Sequence, residues 1–154
     1  MLKKNLLLII FVLTVSCGYQ PMLSKQKMLN YNFSINKLDF QGDKIINMKV
    51  KEKLNSYKLN KLDRNFTLKI KSTSGKIILA KNLKGDPTNF KNTATLYVDI
   101  LIKDKIKNQL RFEASSNYKN NKNKFDLKKY EIEIKKNLAE TLTNKLIYKL
   151  SNIQ

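Results

Sequence analysis

The residue in this chain with the most distinctive chemistry is its only cysteine, Cys17. A thiol is the best nucleophile among the side chains, but it needs a base or an acceptor to act. The chain has no histidine and no tryptophan. The commonest general base and the commonest metal ligand are therefore missing. Zinc, haem, iron–sulfur and Cys/His nucleophilic chemistry find no residues to run on, and no cofactor is expected. Carboxylates such as Glu131 and Glu133 remain. The helical pattern around them places both on a solvated face, where plain solubility explains them. The expectation is a protein that is not an enzyme and holds no metal.

The context of Cys17 explains the thiol differently. The chain opens Met1-Leu2-Lys3-Lys4-Asn5, runs Leu6 to Leu13 without a polar residue, and continues Thr14-Val15-Ser16-Cys17-Gly18. A charged start, an apolar run and small residues before a cut site form an export signal. The apolar run is about ten residues, whereas a membrane-spanning helix needs roughly 20. A cysteine at the cut site resembles a bacterial lipoprotein signal, in which the thiol is lipidated and becomes the mature N-terminus. Leucine is usual three places before that cysteine; here Thr14 stands there, with Leu13 one place further back. Residues 1–16 are thus expected to be a signal peptide and residues 17–30 a lipidated tether containing Pro21. Residues 31–154 are expected to form a single domain. Losing 16 of the 154 residues leaves 138, enough for one core. With a single cysteine, no intrachain disulfide can staple it.

The net charge is +19, or +17 without Lys3 and Lys4. Such a field favours acidic partners. Only Arg64 and Arg111 are arginines, and the other 29 basic residues are lysines. Lysine, asparagine and isoleucine are enriched together, as AT-rich coding favours. Specific phosphate or base recognition prefers the planar arginine fork. At least half of the charge is therefore assigned to coding bias. No nucleic acid partner is expected of an exported chain; lipid phosphates on a membrane suit it better.

The elements follow from hydrophobic period. Residues 31–40 alternate, with Tyr31, Phe33 and Ile35 on one side, and predict a strand. Gln41-Gly42-Asp43 is a turn, and Asp43 is placed to cap a helix. Ile46, Val50, Leu54 and Tyr57 recur at helical spacing over 44 to about 58. Phe66, Leu68 and Ile70 predict a strand over 65–72. Ser72-Thr73-Ser74-Gly75 interrupts it before 76–80, leaving one long strand or a small hairpin open. Residues 81–92, with Gly85-Asp86-Pro87, read as a loop. Residues 94–103 and 109–118 are strands of an antiparallel hairpin around a polar turn at 104–108. Residues 119–124 are a solvated charge run. The last stretch is a helix with Asp126 as N-cap and Phe125 with Tyr130 as a hydrophobic staple. Its stripe is Tyr130, Ile134, Leu138, Leu142, Leu146 and Leu150, widened by Ala139 and Ile147. The expected fold class is α+β, a two-layer sandwich in the order β-α-β-β-β-α. It has an antiparallel sheet of about four strands, with two helices on one face and the other face wet. Lys69, Lys71, Asp99, Arg111, Glu113 and Tyr97 fall on that wet face.

The opening Cys17-Gly18-Tyr19-Gln20-Pro21-Met22 resembles the Cys-Gly-aromatic-x-Pro-Leu start of the LPS-assembly lipoprotein, the LptE family. The order of elements and the mature length are also similar. So is the tail Ser115-Ser116-Asn117-Tyr118 before a long helix with Leu138-Ala139. Lysines replace the usual small residues of that helix. The resemblance implies a non-enzymatic lipoprotein anchored at the periplasmic side of the outer membrane. It would fill and help assemble an LptD-like β-barrel, and contact lipopolysaccharide during its delivery to the outer leaflet. Gly18 after the cysteine agrees with outer-membrane sorting. The hairpin lysines Lys103, Lys105 and Lys107 form a compact basic tip and are the candidate lipopolysaccharide contacts. The alternative is an exported, lipid-anchored basic module that holds anionic envelope lipid or polymer. An RNA-binding sheet domain fits poorly, because the wet face carries one aromatic, Tyr97, and the order ends in a helix.

Overall fold

The computed structural model describes residues 33–58, 62 and 64–153. Cys17, the signal segment, the tether and Tyr31 lie outside the described residues. The elements are β1 (Ser34–Gly42), α1 (Lys44–Leu54), β2 (Asn65–Lys81), β3 (Pro87–Ile102), β4 (Lys105–Lys119) and α2 (Lys124–Ser151). A 3₁₀ turn, Asn55–Tyr57, follows α1. The expected order and α+β class hold.

The sheet runs β1-β2-β3-β4. It is mixed rather than wholly antiparallel, because β1 and β2 pair in parallel. The reason is the helix between them: a β-α-β crossover carries the chain back to the end it left. In β1 the pairing steps from Ile35↔Phe66 to Lys37↔Thr67, so Asn36 is an extra residue. That bulge moves the apolar set from Phe33 and Ile35 to Leu38 and Phe40 without changing face. Gly42 closes the strand at φ +99, where a Cβ would fall 1.9 Å from the Ser72 carbonyl oxygen. No other residue fits there.

β2 is one unbroken strand through Ser72–Gly75. The serines are not turn residues. Ser72 Oγ donates to Asn47 Oδ1 at 2.7 Å, and Ser74 Oγ donates to Asp43 Oδ2 at 2.6 Å. Both lie under the start of α1, so polar sequence occupies inner positions. The expected loop at 81–92 shrinks to 82–86, where Asn82 Oδ1 accepts from the Lys84 and Asp86 amides at 2.9 Å. Residues 87–93 are already strand. Asn92, 3% exposed, takes an inner position that an apolar residue would have made visible in the sequence.

Even-numbered residues of β2 and β3 point inward. Phe66, Leu68, Ile70, Leu96, Val98 and Ile100 are all buried. Both helices lie on this face, because Ser72 meets α1 and Lys76 meets Glu131 of α2 from the same side of β2. Ile46, Val50 and Leu54 seal α1. Leu127, Ile134, Leu138, Leu142, Leu146 and Leu150 seal α2, joined by Ala139, Thr143 and Ile147. Thr143 Oγ1 donates to the Ala139 carbonyl at 2.6 Å, which satisfies a buried hydroxyl. The stripe departs from expectation at its first turn. Asn123, not Asp126, caps α2, accepting from the Phe125 amide at 3.0 Å. Moving the cap three residues back leaves no staple: Phe125 is 75% and Tyr130 54% exposed.

Asp43 joins the layers. Its Oδ1 accepts from the Ile45 and Ile46 amides at 3.0 and 3.2 Å, as an N-cap does. Its Oδ2 takes the Lys135 ammonium of α2 at 2.8 Å. Burial alone would raise this carboxyl, but Lys135, Ser74 and the Ile46 amide outweigh it and hold it at about 2, below its ordinary 3.8. A depressed acid stabilises the fold above its unfolded value and loses that contribution as pH falls through the folded one. The drop is worth about 2 kcal/mol. Asp43→Asn keeps the cap but loses the charge. It is expected to cost about 2 kcal/mol at pH 7 by urea denaturation, and the two proteins are expected to converge as pH falls from 4 to 2. A gap that persists at pH 2 would mean that charge is not what Asp43 contributes.

Candidate anion-binding surface

The β3–β4 turn carries the expected basic tip, and it is tighter than expected. Lys103 and Asp104 have φ of +48 and +62. Two successive left-handed residues are the mark of a type I′ turn, whose twist matches the strands it joins. The ladder resumes at Ile102↔Lys105 and Leu101↔Ile106, then skips to Ile100↔Asn108. Lys107 therefore has no residue opposite it. Lys103 is at the apex, Lys105 opens β4, and the bulge turns out Lys107. All three are exposed, as is Ile106 at 57%. None of the ion pairs among the described residues involves these lysines. The structure thus brings the three residues together, with Asp104 the single carboxylate among them.

The wet face continues from this tip. Register places Lys69 opposite Asp99, Lys71 opposite Tyr97, and Tyr97 opposite Arg111. Arg111 pairs with Glu113 and lies 5.8 Å from the Tyr97 ring centre. Gln109 Nε2 donates to Asp99 Oδ1 at 2.9 Å. Asp99 and Glu113 are thus held by neighbours on β4 and Asp39 by Lys37 on β1, and Lys69 and Lys71 enter none of the described ion pairs. The surface can attract anions as a set of point charges. It has no planar fork free for bidentate recognition.

Glu131 is not on a solvated face. It is half-buried and accepts from Lys76 Nζ and from Tyr118 Oη, the latter at 2.7 Å. Burial pushes this carboxyl up, but Lys76 and Tyr118 outweigh it and hold it below its ordinary range. Burial and the same carboxylate push the Tyr118 phenol well above its usual range. Lys76 Nζ also lies 3.9 Å from the Phe90 ring centre. This cluster ties β2, β3 and β4 to α2. The signal for it was parity: Lys76 sits at an even, inward position of β2, where a lysine needs a partner. Glu133 is exposed and pairs with Lys136 at 2.7 Å. At the other end Arg64 donates to the Leu150 carbonyl at 3.3 Å and to that of Ile153, placing a cation at the C-terminus of α2. Among the described residues no group of three or more metal-ligating side chains gathers, and no helix is long and apolar enough to cross a membrane.

No family model matches the chain, and no curated protein matches it by sequence. Solved structures do. The chain is similar to rare lipoprotein B from Shewanella oneidensis, with TM-score 0.54 and 13% identity, over 76% of this chain and 98% of that one. A minor lipoprotein from Acinetobacter baumannii gives TM-score 0.56 and 15% identity, over 75% and 90%. Lipoprotein B from Nitrosomonas europaea gives 0.50 and 10%, over 75% and 81%. At these identities the likeness is one of fold, and the chain has the fold of these lipoproteins.

The left-handed residues at the tip give a direct check of its geometry. Lysine and aspartate bear a backbone cost at positive φ that Asn-Gly relieves. Lys103→Asn with Asp104→Gly is expected to stabilise the protein by about 1 kcal/mol in urea denaturation. Destabilisation would contradict the type I′ assignment.

Proposed function

We propose that this protein is the lipoprotein component of a lipopolysaccharide translocon. In this reading Cys17 carries the lipid, and the domain sits at the periplasmic side of the outer membrane. There it plugs and helps assemble an LptD-like β-barrel and contributes to delivering lipopolysaccharide to the outer leaflet. It works as a binding and assembly partner rather than as a catalyst. The observation that carries the reading is a conjunction. A chain with the fold of the similar lipoproteins also carries, after its apolar N-terminal run, Cys17-Gly18-Tyr19-Gln20-Pro21, which resembles the opening of the LptE family.

Physical features support it. One face of the sheet is polar, which suits a water-filled barrel lumen. Register puts Ser34, Asn65 and Leu101 at one end of the sheet, so the chain reaches its first strand at the end that carries the lysine turn. The ammonium groups of that turn would attract lipid A phosphates as point charges. The unpaired lysines alone favour the second reading, a lipid-anchored basic module holding anionic envelope lipid or polymer without a barrel.

Affinity purification of the chain from native outer membranes separates the two. Recovery of a stoichiometric large β-barrel is expected. A chain that never brings down a barrel, and whose anion binding vanishes between low and physiological salt, would establish the second reading instead. In the same material, Lys103→Glu, Lys105→Glu and Lys107→Glu together are expected to weaken lipopolysaccharide binding about tenfold or more, with folding unchanged. Unaltered binding would remove the turn from the site.

A further inference from the structure

β1 stops at Gly42, opposite Ser72, but β2 continues to Lys81. Over 73–81 only β3 pairs with it, and among the described residues nothing pairs with its outer side. An unpaired edge presents a row of amide and carbonyl groups that will accept another strand. Proteins blunt such edges with charge. Here the edge does the opposite: Ile77, Ile78 and Leu79 are consecutive and 57%, 48% and 46% exposed, and Leu83 beyond them is fully exposed. The ladder to β3 is regular through Ile78 and bulges at Leu79, so the straight stretch on offer is 73–78. The outer edges of β1 and β4 are unlike it: the outer-face residues Lys37, Asp39 and Gln41 of β1 and Gln109, Arg111, Glu113, Ser115 and Asn117 of β4 are polar.

Charge selects the occupant. From residue 73 to the end of the following turn the charged residues are Lys76, Lys81, Lys84 and Asp86; Glu131 answers Lys76, while Lys81 and Lys84 enter none of the described ion pairs. A second copy would bring the same lysines to the same edge, and like charges across a strand pair are destabilising. An acidic strand would be attracted, and its apolar residues would cover the isoleucines. We propose that residues 73–81 of β2 take an extended, acidic segment of another protein as an added strand. Main-chain hydrogen bonds would supply affinity and the apolar-cationic pattern would supply selectivity. This goes beyond the translocon reading, since it needs neither a barrel nor lipopolysaccharide.

Hydrogen exchange of the full mature chain tests it with three probe peptides. One alternates valine and glutamate, one alternates valine and lysine, and one is the acidic peptide with a central proline. The acidic peptide alone is expected to slow exchange of amides within 73–81 by about tenfold or more. Ile77→Glu with Leu79→Glu is expected to abolish that protection while the thermal midpoint stays unchanged. Protection confined to 105–119 would overturn the proposal, as would equal protection by the lysine or proline peptide, or none by any peptide. Protection that rises with protein concentration alone would assign the edge to a second copy. Protection by phosphatidylglycerol vesicles but not by the acidic peptide would assign it to a lipid surface.

Discussion

Everything in this structure depends on covering one face of one four-stranded sheet. A single cysteine cannot form an internal disulfide, so packing alone must order the chain. The inward residues of the strands meet two helices, and the leucine stripe of α2 crosses the sheet from Leu127 to Leu150. Removing that apolar surface from water is the main driving force for folding. Nothing comparable covers the opposite face among the described residues. The polar sheet face, the β3–β4 turn and the far end of β2 are what the covered core leaves for contact with other molecules.

Charge is distributed by the same division of labour. Asp43, Glu131 and Glu140 reach across from one element to another and meet Lys135, Lys76 and Lys53. Glu52, Glu113 and Glu133 pair with basic residues on their own elements. These carboxylates, with Asp39 on Lys37, are thereby held by the domain's own cations, and many of the remaining lysines face outward. Surface pairs of this kind contribute little stability each; Asp43 is different because it is well covered and also caps α1. The positive field is thus partly a coding habit and partly a result of where the acids went. The second cause accounts for the turn lysines entering none of the ion pairs among the described residues.

Much of this was legible in the sequence because period tracks burial. The alternation of Phe66, Leu68 and Ile70 and the spacing of Ile134 to Leu150 each read correctly, as did Asp43 as a cap. The failures share a cause: the deciding partner was far away in sequence. Ser72 and Ser74 looked like a turn because their acceptors, Asn47 and Asp43, lie on α1. Asn92 hid a strand because its backbone partners are on β2 and β4. Asn123 and Asp126 are both capping residues, and local sequence does not rank them. The parallel pairing of β1 with β2 was readable from the helix between them but was outweighed by the antiparallel pattern of the later strands. At the candidate surface, Lys103, Lys105 and Lys107 were found from clustering alone, while the Lys76–Glu131–Tyr118 tie required the register.

The account joins a lipoprotein fold to a chemistry located at one atom, the Cys17 sulfur. Intact mass spectrometry of the protein purified from native membranes, beside Cys17→Ala, measures that chemistry directly. A mature chain that starts at Cys17 and carries the added mass of diacylglycerol and an acyl group is the expected result, absent in the variant. A chain that starts elsewhere with a free thiol would contradict the account.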